Sequence, residues 1–159
     1  MTMSPLQPVG GALFYLPPIV IPGITTADAL DANDQMGSVL QIVVPKRGCI
    51  TKALIFDPSD QGISAEMWLF RQVPVLAASD SAFALADADL LNVIDVLTFA
   101  TYKDAVNGQV ALTADTPCWY TAEGVSIWVA FKTLGTPTYT AGSMPQLSLL
   151  IERYSNDQG

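Results

Sequence analysis

Apolar and polar positions alternate with period two along much of this chain. Val125, Ile127, Val129 and Phe131 share one parity and Ser126, Ala130 and Lys132 the other, the pattern of a strand with one buried face. Leu147, Leu149 and Ile151 repeat the rule against Ser148, Glu152 and Tyr154. A one-residue slip would carry either row into water, so both registers should be firm. Trp128 and Leu150 break the pattern by standing on the polar parity. Either a second layer of this chain or a partner should cover them.

The same reading predicts strands over Val39 to Val44, Cys49 to Phe56, Ser64 to Gln72, Val93 to Phe99, Gln109 to Thr113 and Pro117 to Thr121. Between them lie turn residues such as Pro45 to Gly48 and Asp57 to Gly62, chosen for local hydrogen bonding and unusual backbone angles. Asn107-Gly108 is the strongest hairpin signal and should return Val110 to Leu112 antiparallel to a segment containing Tyr102. Within Ser64 to Gln72, Trp68 and Phe70 oppose Met67 and Leu69, so this strand should be buried on both faces. Ser81 to Asn92 is the one helical candidate, with Asp87 as a possible cap. About eight short strands with at most one helical turn predict an all-β fold, an antiparallel β-sandwich of jelly-roll or Greek-key kind.

The first 23 residues carry five prolines and no charged side chain. Prolines at this density exclude a helix and a central strand, so the backbone should run extended. Yet Leu13, Phe14, Tyr15, Leu16, Ile19, Val20 and Ile21 are too apolar for a solvated tail. This Pro-rich arm should lie either along its own domain or, the favoured expectation, in a groove of a neighbouring subunit. These seven residues and Trp128 are therefore the candidate subunit interface. Asp28, Asp31 and Asp34 follow at a spacing that lacks the one-three-five order and closing Glu of a calcium loop, and read as a solvated turn or short capped helix. The expected division is an arm with acidic connector over residues 1–37 and a β-sandwich over residues 38–159.

Composition narrows the function classes. Only 14% of the 159 residues are charged, against about 25% in ordinary soluble domains, which suits a subunit packed against neighbours or a compact β protein rich in Thr and Ser. The net charge of −8 argues against a nucleic-acid partner, because such binding releases counterions to protein cations. No membrane span is expected, since Pro17, Pro18 and Pro22 interrupt the longest apolar stretch, and no positive n-region precedes an apolar core as a secretory signal requires. Cys49 and Cys118 match no metal spacing and read as core thiols of a cytoplasmically assembled protein, with a disulfide between them as the alternative.

With no His, Ser-His-Asp and Cys-His catalysis and most zinc sites are excluded, and no glycine-rich phosphate loop is present. Asp87 with Asp89, or Asp57 with Asp60, could form a carboxylate pair for glycoside hydrolysis, but both pairs sit in predicted turns. No catalytic, cofactor-binding or metal residue is assigned and no enzyme is expected. Trp119, Tyr120 and Trp128 could instead make an aromatic platform for a sugar.

The segment Phe83 to Phe99, with Asp87, Ala88, Asp89 and Leu90 ahead of the strand Val93 to Phe99, resembles one in small structural proteins of tailed bacteriophages, as does the run Gly135 to Tyr139 before the last strand. The resemblance covers roughly the second half of the chain. It implies a β-sandwich virion component assembled in the host cytoplasm, such as a capsid decoration or stabilising protein. Its partners would be the major capsid protein, copies of itself, or both. The alternative is a receptor- or carbohydrate-binding sandwich of a tail or fibre, with a surface glycan as ligand.

Overall fold

A computed structural model describes residues 13–26 and 28–154. Two antiparallel sheets hold nearly all of the regular structure. One contains β1 (Leu13–Val20), β10 (Gln146–Arg153), β3 (Arg47–Asp57), β7 (Gln109–Leu112) and β6 (Tyr102–Asp104) in that order, with β8 (Cys118–Thr121) also paired to β3. The other runs β2 (Leu40–Val43), β9 (Ser126–Thr133), β4 (Ala65–Phe70), β5 (Val93–Phe99). The fold is all-β, as the alternation predicts.

The core lies between the sheets. Ala53, Ile55, Leu147, Leu149, Ile151 and Ala111 face inward from the first sheet, and Ile42, Ile127, Val129, Phe131, Met67, Leu69, Leu97 and Phe99 from the second. β3 changes parity within itself. Pairing with β10 skips Thr51, so Ile50 points inward on even parity while Ala53 and Ile55 do so on odd. The bulge lets one long strand keep apolar groups inward along its whole length, and the Thr51 hydroxyl donates to the Leu150 carbonyl at 3.1 Å.

Residues 13–36 share this core with the rest of the chain. β1 pairs with β10 in register, shifted between Leu16 and Ile19 where Pro17 and Pro18 interrupt the ladder. Proline cannot donate to a ladder, and β1 is an edge strand, the one place where that is tolerated. Beyond it Ile21, Ile24, Leu30 and Met36 are buried. The acidic stretch forms turns rather than a helix, with an Asp34 carboxylate oxygen accepting the Asp31 amide at 3.0 Å. The part of the expected arm at residues 1–12 lies outside the described residues.

Several expectations need correction. Val125, expected in the buried row, is 69% exposed because β9 starts only at Ser126. Helix α1 is a single turn, Asp87–Leu90. Asp87 is its first residue rather than its cap: Ala86 holds the cap position without a side-chain bond, and Asp87 contributes only charge near the helix N-terminus. The β6–β7 hairpin forms, pairing Tyr102 with Ala111. Its turn sits one residue early, however, with the positive φ of 74° at Val106 and the Ala105 amide bonded to the Gly108 carbonyl.

The expected burial of β4 on both faces has a local cause. Residues 71–92 lie over the outer face of the second sheet. Phe83 packs on Trp68 with ring centroids 5.3 Å apart, and Phe70 and Ala130 on that face are fully buried. A bridge from Asp34 to Ala82 ties this layer to the segment after β1.

Candidate functional site

Two surface features carry chemistry beyond folding. The first is the outer face of the sheet that contains β1. In an antiparallel ladder directly opposed residues share a face, so pairing extends the surface from strand to strand. Leu13 and Tyr15 sit opposite Glu152 and Leu150, and Val20 opposite Gln146. Leu150 opposes Lys52, Ser148 opposes Leu54, and Leu54 and Phe56 oppose Leu112 and Val110. The outcome is a largely apolar face across β1, β10, β3 and β7, crossed by Glu152, Lys52 and Gln146. Leu13, Tyr15, Val20 and Leu112 are each more than half exposed, and Leu54, Phe56, Val110 and Leu150 are partly so. No layer like residues 71–92 covers it among the described residues.

The candidate interface residues divide over this geometry. Leu13, Tyr15 and Val20 point outward. Leu16 and Ile19 turn toward the core and pack against it, and Phe14, on the same inward parity, stays 42% exposed at the edge. Ile21 is enclosed within its own domain at 1% exposure. Trp128 lies on the other sheet, opposite Phe70 and Gln41, and is partly buried. Residues 13–20 and Trp128 are therefore not brought together.

The second feature is a cleft of about 520 Å³ at the sandwich end where β3 begins and β10 ends. Arg47, Trp119, Tyr120 and Tyr154 come to it from the first sheet, and Arg71 and Ile94 from the second. Trp119 and Tyr120 are neighbours on β8, so alternation sends them to opposite sides. Tyr120 is 5% exposed and Trp119 62%. The Trp119 ring is steadied by Tyr154, edge to face at 5.7 Å and 87°. Beside the cleft, Phe14, Lys46, Arg153 and Val125 border a smaller hollow that shares Arg47 and Tyr154. Four of the seven cationic side chains thus gather at one end of an acidic protein. Among the described residues the single ion pair is Lys132 with Glu66, at 3.2 Å on β9 and β4, so none of the four has a carboxylate partner.

The buried titratable groups are held neutral. Burial, then the Asp95 carboxylate, pushes the Cys118 thiol up to about 12, and burial followed by the charge of Glu152 raises Cys49. Both cysteines are free and buried, so neither is a thiolate nucleophile near neutral pH. Tyr120 is raised by burial and then by the two thiols. Its hydroxyl has no hydrogen-bond partner among the described residues.

One member of each proposed carboxylate pair is held by backbone amides. Asp57 is buried and accepts the amides of Ser59, Gln61 and Gly62 at 3.1, 2.7 and 2.8 Å. Asp89 accepts the Val75 amide. Among the described residues no group of three or more Cys, Asp or Glu could hold a metal ion, and no helix is long and apolar enough to cross a membrane. Sequence reasoning flagged Trp119 but missed Arg47, Arg71 and Tyr154, whose only signal was that each stands at or next to a strand terminus. No protein-family model matches the chain, and no curated protein matches it.

Proposed function

We propose that this chain is a non-enzymatic structural protein of a virion, a jelly-roll subunit that stabilises an assembled shell through contacts with the major capsid protein, copies of itself, or both. The jelly-roll reading rests on strand order. Taking β1 to β5, then β7, β9 and β10, as the eight strands, the sheets run first, eighth, third, sixth and second, seventh, fourth, fifth. Early and late strands alternate, as when a long antiparallel hairpin is rolled up. Capsid and lectin domains use this architecture, although a fold alone never fixes a function.

The observation that carries the function is the apolar outer face of the β1 sheet. Contiguous exposed apolar surface on a sheet marks a contact with another macromolecule, and a stable contact covers about 800 Å² on each partner. The face from Leu13 and Tyr15 to Leu112 spans four strands, with Leu13, Tyr15, Val20 and Leu112 each more than half exposed, which supports a contact there. Such a subunit works by mass action, stabilising the assembled form because it binds only that form. The Pro-rich arm reading is part of this proposal, with Leu13, Tyr15 and Val20 of β1 on the contact face.

Tyr15→Glu and Leu112→Glu place charge at exposed positions and should fold. Co-sedimentation with preformed shells and native mass spectrometry then test the reading. Wild-type protein adding to shells or self-associating, with both variants failing to do so, is the expected result. Full incorporation of both variants, or a wild-type monomer that never adds to shells, would sink it.

A further inference from the structure

The cleft between Arg47, Arg71, Trp119 and Tyr154 has chemistry that shell assembly does not use. We propose that it binds an acidic saccharide, a pyranose ring carrying a carboxylate. The proposal goes beyond the assembly reading and does not depend on it.

The arginines supply the first argument. The chain has three arginines and a net charge of −8, yet two of the three line this cleft, one from each sheet, and neither is in an ion pair among the described residues. Of the nearby acids, Glu123 accepts the Gln72 amide at 2.8 Å and Asp95 meets the Val96 amide and the Cys118 thiol, while Glu152 stands across Cys49 from Trp119, one carboxylate against two guanidinium groups. A guanidinium presents a planar fork of donors that matches a carboxylate.

The aromatic rings supply the second. Trp119 is 62% exposed, and its edge-to-face contact with Tyr154 fixes the orientation of a ring that solvent alone would leave free. The π-face of such a ring is negative and attracts the slightly positive C–H face of a pyranose. Tyr120 lines the same cleft as a fixed wall: the residue is 5% exposed, and its hydroxyl is packed against Gly48, where a Cβ would lie 2.6 Å away.

Size and charge select among ligands. About 520 Å³ lies within the range of small-molecule sites. A long polyanion such as a nucleic-acid strand would meet the repulsion of the whole acidic molecule, whereas a single carboxylate is governed by the charges within a screening length of about 8 Å at physiological salt, and the cleft itself is lined by Arg47 and Arg71. An apolar peptide would bury both guanidinium groups unpaired.

Saturation-transfer NMR on the full chain, with trigalacturonate and N-acetylneuraminic acid as probes and neutral galactotriose and AMP as comparators, tests the site. Saturable binding of at least one acidic sugar is expected, about tenfold or more tighter than either comparator, a gap that one charge-assisted contact supplies. Trp119→Ala and Arg71→Gln should each weaken it about tenfold or more with unchanged thermal unfolding, since both side chains are exposed. Should Trp119→Ala lose its fold, Arg71→Gln and Arg47→Gln decide the matter. No saturable signal from either acidic sugar up to about 10 mM, equal binding of galactotriose, tighter binding of AMP, or folded variants with wild-type affinity would each overturn the proposal.

Discussion

Replacing Asp57 should destabilise the protein far more than a loop aspartate usually does. Its carboxylate accepts three backbone amides, from Ser59, Gln61 and Gly62, and so holds the turn that ends β3. Hydrogen bonds to a charged acceptor contribute roughly 1.5–3 kcal/mol each, which would sum to about 5–9 kcal/mol. The freed donors are only partly lost, because Gln61 is exposed and Ser59 and Gly62 are partly so, and water can take them. About 2–4 kcal/mol remains for Asp57→Ala, a large fraction of the 5–15 kcal/mol total typical of a domain and roughly 5–15 °C in Tm. Asp57→Asn keeps one carbonyl oxygen but turns an amide toward donors, and should fall between. The turn is tied to the loop ahead of β10, since Gln61 accepts the Thr138 amide and the Ser59 hydroxyl donates to the Ser143 carbonyl. Amide exchange should therefore quicken in residues 138–143 as well. Urea unfolding followed by tryptophan fluorescence measures the loss. A change under about 0.5 kcal/mol for Asp57→Ala, within the range of an ordinary surface substitution, would refute the reasoning.

Strain and burial lead to three further predictions. Val106 holds φ of 74° at 83% exposure, a conformation costly for a β-branched residue, so Val106→Asn should raise stability by about 1 kcal/mol; an unchanged or lower urea midpoint would contradict that strain. Stability should also fall with alkali. Cys118, Tyr102, Tyr120 and Tyr139 are all raised from ordinary values of 9.0 or 10.0, so the unfolded chain loses these protons first and the folded state binds more of them. The stabilisation is complete below pH 9 and drains away between 9 and about 12 for Cys118, with the tyrosines adding to the slope from 10 upward. Urea midpoints across that range should drop steadily, and a midpoint that holds constant throughout it would show these groups to be solvated. A disulfide reagent at neutral pH should label Cys49 and Cys118 only as the protein unfolds.

Alternation by itself determined which face of β9 and β10 turns to the core, because a period of two needs no knowledge of the neighbours. It also determined that β4 is apolar on both sides, and the Asn-Gly signal located the β6–β7 hairpin. What covers each face was decided only in three dimensions. Trp128 and the residues of β1 look alike as exposed-parity hydrophobes, yet they lie on different sheets. Residues 71–92 pack over Trp128's sheet, while the β1 sheet has no such cover among the described residues. Nothing local distinguishes them, since the cover over Trp128's sheet comes from a segment that ends 36 positions before it. The cleft is a stronger case. Arg47, Arg71, Trp119 and Tyr154 span more than 100 positions and share no motif, so only the antiparallel sheets, by bringing their strand ends to one end of the sandwich, turn scattered cations and rings into a single site.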